Sequence, residues 1–194
     1  MAKIASPSDT HAPLIIALHW LTAAAIAASV PVALLESYVE GHLLKHSLLA
    51  LHRSLGVLVL GAVLLRLLVR HRHRERRPDH GLPAHLSLPS ALSHVAMYLL
   101  LLATPLLGWL QSGAAGQDLR LFGLLPLPAL LGMDLDLADT LADYHHWAAW
   151  SLIALVGAHT VAALWHHYQR RDGVLRSMLP LKPLVAATES SRSE

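Results

Sequence analysis

The sequence predicts an all-α fold, a transmembrane four-helix bundle, and three observations carry that reading. Of 194 residues, 54% are apolar and only 14% are charged. The apolar mass is mostly Leu, Ala and Val, and Leu and Ala favour helices. Four stretches reach the roughly 20 apolar residues that a helix needs to cross hydrocarbon: residues 14–35, 48–69, 91–110 and 146–168.

The first stretch contains His19 and Trp20 and runs for a full span, so it reads as a retained helix and not a cleaved leader. Each stretch holds a few polar residues, which implies an interior face as well as a lipid face. The long third connection carries Gly113, Gly116, Gly123, Pro126, Pro128 and Gly132. Its LFGLLPLPALLG segment, 121–132, is too short and interrupted to span and is expected to lie along the membrane surface. Residues 1–180 form one membrane domain, and 181–194 a polar cytoplasmic tail. There is no internal repeat and no second soluble domain.

Charge orients the bundle. Residues 70–77 read RHRHRERR, and Arg170, Arg171, Arg176 and Lys182 follow the fourth stretch. The third connection instead carries Asp118, Asp134, Asp136, Asp139 and Asp143 against Arg120, and the first sets Glu36 and Glu40 against Lys45. The positive-inside rule places the basic segments, and with them both termini, in the cytoplasm. Four spans require both ends on one side, so count and charge agree. Despite a pI near 9.2, the apolar composition excludes a nucleic-acid-coating protein. The basic run sets topology and meets anionic lipid.

Cysteine is absent, which excludes disulfides, zinc–thiolate sites, iron–sulfur clusters and covalent c-type heme. Redox chemistry would therefore need a non-covalent cofactor on other ligands. Histidine is the candidate, with 15 copies. Ionisable side chains within a membrane are costly and usually functional. His19, His52 and His159 fall inside predicted spans, and His145 at the entrance to the last.

His145 and His159 are 14 residues apart. At about 100° and 1.5 Å per residue they share a helix face and stand about 21 Å apart along it. The first span enters from the cytoplasm with His19 early in it, at the inner depth of His159. The second enters from outside with His52 early in it, at the outer depth of His145. Two histidine pairs at two depths suit two stacked b hemes between facing helices, each iron taking two imidazoles. With both axial positions filled by protein, the expected role is electron transfer across the bilayer.

At these residues the sequence resembles the bacterial cytochrome b561 family of small four-helix diheme cytochromes, over about residues 11–180. The matching motifs are ALHW at 17–20, LHRSLG at 51–56, LLRLL at 64–68 and SHVAMYLLLLATPLLGW at 93–109. YHHWAAW, GAHT and the closing HHY…RDGVLRSMLP follow in order. The resemblance implies that His19 and His159 ligate the inner heme iron, and His52 and His145 the outer. It also implies quinone as a membrane partner and, in one branch, oxidation of superoxide outside with transfer to ubiquinone. The net acidic outer loops repel an anion unless Lys45 or Arg53 overrides them. Where the family often carries an acid after the ligand of the fourth helix, this chain has His146; the spacing to His159 favours His145.

Other residues carry two readings each. Arg53 pairs with a heme propionate or snorkels to the interface. Gly56, one turn after His52, clears room for a macrocycle or serves helix packing. His94 bonds an inner propionate, relays a proton to quinone, or is simply interfacial. Arg66 is expected to snorkel. Pro105 and Gly108 mark a kink or close packing. Trp20, Trp147, Trp150 and Trp165 anchor the span ends. His42 and His46, at helical i, i+4 spacing, could take a metal. They, with His71, His73, His80, His85, His166 and His167, otherwise read as solvated surface.

The leading expectation is an inner-membrane diheme electron carrier, quinone-linked, with an unidentified outer donor or acceptor. One alternative is a heme-bearing anchor subunit of a hydrogenase- or formate-dehydrogenase-like complex. Another is a metal-ion transporter that uses the histidine-rich loops.

Overall fold

A computed structural model describes residues 13–73, 84–172 and 174–179. Four helices dominate: α1 (Pro13–Tyr38), α2 (His42–His73), α3 (Ala84–Ala114) and α4 (Leu135–Trp165). All four are long and apolar enough to cross a membrane. They outrun the predicted apolar stretches, because hydropathy marks only the part in hydrocarbon and the helical hydrogen-bond ladder continues beyond it. The tail 181–194 and the side chains of His73, His80 and His85 lie outside the described residues.

The helix ends follow local chemistry. Pro13 opens α1, where its missing N–H would have had no partner. Asp134 caps α4 by accepting from the Leu137 N–H at 3.0 Å. At the far end α4 widens into a π-turn (His166–Arg170), closed by Arg171 in the left-handed region at φ 50°. A 3-10 turn (Arg176–Met178) then folds back under α1, where Trp20 Nε1 donates to the Met178 carbonyl at 2.6 Å.

α1 packs chiefly on α2 and α3 on α4, and the two helix pairs meet along the α2–α3 seam. The bundle's middle is apolar, with Ala25, Val59, Val63, Leu101 and Leu152 buried together. Outward residues such as Leu99 (64% exposed) and Val161 (67%) present hydrocarbon to lipid. Such a surface in water would be an association site.

Between α3 and α4 the chain forms an antiparallel hairpin, β1 (Leu119–Leu121) with β2 (Leu125–Leu127), Leu119 opposite Leu127. Part of the segment expected to lie along the membrane surface is therefore a paired ribbon, with β1 on α2. Its turn uses Phe122 and Gly123 at positive φ, 50° and 74°. Ser54 on α2, fully buried, holds it: the Phe122 N–H donates to Ser54 Oγ at 2.8 Å. Ser54 Oγ in turn donates to the Ala50 carbonyl at 2.8 Å. Ser54→Val keeps the shape and removes both bonds. Destabilisation by about 1–3 kcal/mol is expected, read as a lower melting temperature in detergent with helix content unchanged.

Candidate cofactor site

The interior histidines stand at two levels. Ser29 lies 10 residues beyond His19 on α1, and Thr104 lies 10 beyond His94 on α3, each about 15 Å further along. On α2 and α4 the corresponding pairs, His52 with Arg66 and His145 with His159, are 14 residues apart. Every helix thus contributes to a level at the hairpin end and to a level at the terminal end.

At the hairpin end the rings of His52 and His145 oppose each other, 6.1 Å between centres and 88° between planes. Each is fixed from behind by a neighbouring helix. His52 Nδ1 lies 3.2 Å from the Ser29 carbonyl oxygen and 2.9 Å from Ser29 Oγ. His145 Nδ1 lies 2.9 Å from the Thr104 carbonyl oxygen. A carbonyl can only accept, so both rings carry their proton on Nδ1 and present an Nε2 lone pair. That is the tautomer a metal requires, with the hydrogen bond behind it that orients metal-binding imidazoles.

Both accepting carbonyls lie beside prolines that interrupt the backbone ladder, Pro31 in α1 and Pro105 in α3. Two clefts flank the ring pair. One is lined by Arg53, Trp109 and Ser112, the other by Ile26, Val30, Ala149 and Leu152, and both by His52, Gly56, Pro105 and His145. Thr104 Oγ1, on the second cleft, is buried without a hydrogen-bond partner. Gly108 makes room for His145: a Cβ there would stand 3.2 Å from the imidazole. A flat apolar group with polar substituents would fit this setting, with the Nε2 atoms of His52 and His145 available to hold it.

At the terminal end His94 and His159 oppose each other, 5.4 Å between ring centres and 85° between planes. His94 Nδ1 donates to the Ser90 carbonyl at 2.6 Å. His19 sits beside Arg66, whose Nη1 is 3.2 Å from His19 Nδ1. The His19–Arg66 contact of α1 and α2 stands at the same end of the bundle as the His94–His159 pair of α3 and α4. All four helices therefore converge here.

Several expected residues fall where the sequence suggested and others gain a different role. Arg53 donates through Nη2 to Gln117 Oε1, so it holds the outer connection while lining the cleft. Gly56 lines both clefts and faces Pro105, with 3.8 Å available to a Cβ. His146 is exposed, whereas His145 points inward. Arg66 does not snorkel: it is 9% exposed, with its guanidinium on His19 and 5.7 Å from the centre of the Tyr98 ring. Trp147 and Trp150 are exposed, as belt residues are. His42 and His46 lie stacked on the surface, 6.5 Å apart. Among the described residues no three His, Cys, Asp or Glu side chains gather to hold a metal ion.

Ser29, Thr104, Gly108 and Arg66 are the parts that sequence reasoning missed or undervalued. A polar or small residue in a span is a weak signal by itself, and their partners are distant in the chain.

A membrane bundle with opposed, carbonyl-braced imidazoles in its interior is the build of a b-type membrane cytochrome. Comparison with known proteins agrees. Residues 10–181 match the family model described as prokaryotic cytochrome b561. The chain is similar to cytochrome b561 homolog 2 of Escherichia coli, 32% identical over 166 residues, covering 84% of this chain and 87% of that protein. It is also similar to a protein of Yersinia pestis named probable superoxide oxidase CybB, 33% identical over 133 residues, covering 68% and 74%. The chain belongs to the prokaryotic cytochrome b561 family. It is a multi-pass inner-membrane cytochrome that binds heme b and transfers electrons.

Proposed function

We propose that the chain carries two b hemes, one at each histidine level, and passes single electrons between an outer partner and quinone in the membrane. His52 and His145 would ligate the heme at the hairpin end, and His19 and His159 the heme at the terminal end. The observation that carries the reading is the opposed His52–His145 pair, each ring braced through Nδ1 by a carbonyl.

Bound heme supplies reversible one-electron exchange. The chain's residues do the rest. The Ser29 and Thr104 carbonyls hold the ring planes and raise imidazole basicity. With two histidines holding each heme, the chain's own side chains would occupy the places where oxygen could bind the iron. The apolar layer around Val59, Val63 and Leu152 separates the levels and excludes water. His94, with Nδ1 on the Ser90 carbonyl, stands at the terminal end as a proton relay for quinone. The basic residues at that end support its cytoplasmic placement.

The name of the Yersinia relative supports superoxide as the outer electron donor. Lys45 is offset by Glu36 at 3.6 Å, whereas Arg53 is held by a neutral glutamine. Arg53 would present a positive charge beside His52, partly offset by the field of Glu36, within a net acidic surface.

The test is the wild-type protein in detergent. Two b-type hemes per chain by pyridine hemochrome, and their reduction by a short-chain ubiquinol, are expected. One heme or none would overturn the diheme reading. Reduction by dithionite but not by quinol would overturn the quinone assignment.

A further inference from the structure

We propose that Arg66 is the counter-cation for a carboxylate of the cofactor at the terminal end, and that it raises that heme's midpoint potential. The inference rests on the diheme reading and concerns this chain's own arginine.

Arg66 is 9% exposed, on an apolar helix, and its Nε is buried without a hydrogen-bond partner. A buried charge is costly unless it is paired and hydrogen-bonded. The helices offer no acid at this level. α2 and α3 contain no Asp or Glu, α1 has only Glu36 at the opposite end, and α4 has Asp136, Asp139 and Asp143, also at the opposite end. Asp172, beyond α4, is already engaged by His166 at 2.5 Å and by Arg170 at 3.9 Å. What Arg66 does touch is His19 Nδ1 and the face of Tyr98. Neither carries a negative charge. Among the described residues no acid at this level supplies the anion that Arg66 would pair with.

His19 points to the same conclusion. A guanidinium has donors only, so His19 Nδ1 accepts from Arg66 and the ring proton sits on Nε2. This is the reverse of His52 and His145. For His19 to offer Nε2 to iron, the Arg66 bond must give way, which leaves the guanidinium beside the ligand ring with its donors unused. Heme b brings two carboxylates of its own. A planar fork of donors next to the axial ligand matches a carboxylate in two hydrogen bonds. Arg70, one turn further along and bonded to the Tyr98 hydroxyl at 3.3 Å, is a second donor on that side.

A cation beside a heme favours the reduced, less positive form. Losing it lowers the potential. In Arg66→Met, potentiometric titration is expected to show one heme unchanged and the other shifted down. At fixed ambient potential its reduced-to-oxidised ratio falls about tenfold, equivalent to about 59 mV for one electron. Arg66→Lys keeps the charge and is expected to recover most of the shift. Two hemes with both potentials unchanged in Arg66→Met would overturn the proposal while leaving the diheme reading intact. Fewer than two hemes in the wild type would instead be a failure of that reading. If Arg66→Met loses the heme, Arg66→Lys decides: a retained heme near the wild-type potential supports the charge role, and loss in both variants overturns it. The titration is repeated in nanodiscs of neutral and of anionic lipid. A wild-type potential that follows the lipid, with a Met variant that does not, would assign Arg66 to a lipid phosphate and overturn the cofactor carboxylate.

Discussion

Under the proposed diheme assignment, replacing His145 by alanine is expected to lower the heme content from two per chain to one. The variant leaves His52 in place, braced on Ser29, but removes the imidazole that faces it at 6.1 Å. A single histidine would not retain heme against detergent extraction as two would. The levels share no ligand in the proposed assignment, so the terminal-end heme persists with its own spectrum. His146→Ala, on the exposed side of the same helix, is the control and retains both. The count comes from pyridine hemochrome per mole of chain, with helix content by circular dichroism to exclude unfolding. Full loss of both hemes from a folded His145→Ala, or full retention, would sink the assignment.

Gly108→Val is expected to have an effect of similar size without touching a ligand. The first added carbon already stands 3.2 Å from the His145 Cε1 and Nδ1, tighter than ordinary contact. Two further methyl groups must displace the ring from the Thr104 carbonyl or push α3 away from α4. Either movement breaks the brace that sets the tautomer. The same single heme should be lost, and Gly108→Ala should fall between wild type and valine. Gly61→Val is the control, because a Cβ there meets nothing within 4 Å. A Gly108→Val protein with two hemes and unaltered spectra would show that the ring has room to move.

Much of this was legible in the chain. Four apolar stretches declared four helices because a membrane-spanning segment must satisfy its backbone internally and shed polar side chains. The histidines stood out for the same reason, an imidazole in hydrocarbon needing a partner; His52 and His145 do face each other, whereas the ring facing His159 is His94 and His19 lies against Arg66. The outer hairpin was not legible. Its strands are three residues each, Leu–Arg–Leu and Leu–Pro–Leu, too short for any periodicity. Its position depends on Ser54, 68 residues from Phe122. The early start of α4 left a trace, since Asp134 and the apolar spacing of Leu135, Ala138 and Leu141 mark a capped helix in a stretch whose acids suggested a loop. Arg66 was misjudged because sequence gives depth in the membrane but not direction. Near a helix end an arginine can turn outward to water or inward to the bundle, and only the neighbours on α1 and α3 decide.

The seam along which the two helix pairs meet has a consequence for how the protein is made and kept. Each half, α1 with α2 and α3 with α4, is a hairpin of antiparallel helices that packs well on itself, whereas the halves join mainly through α2 and α3. In the proposed assignment both hemes span the other side of that division, with one ligand from the first half and one from the second. A ligand that binds only the closed form stabilises it by mass action. Cells short of heme would then hold the chain as two loosely joined hairpins, more open to membrane proteases. The cofactor would set how much of the protein accumulates as well as what it can do.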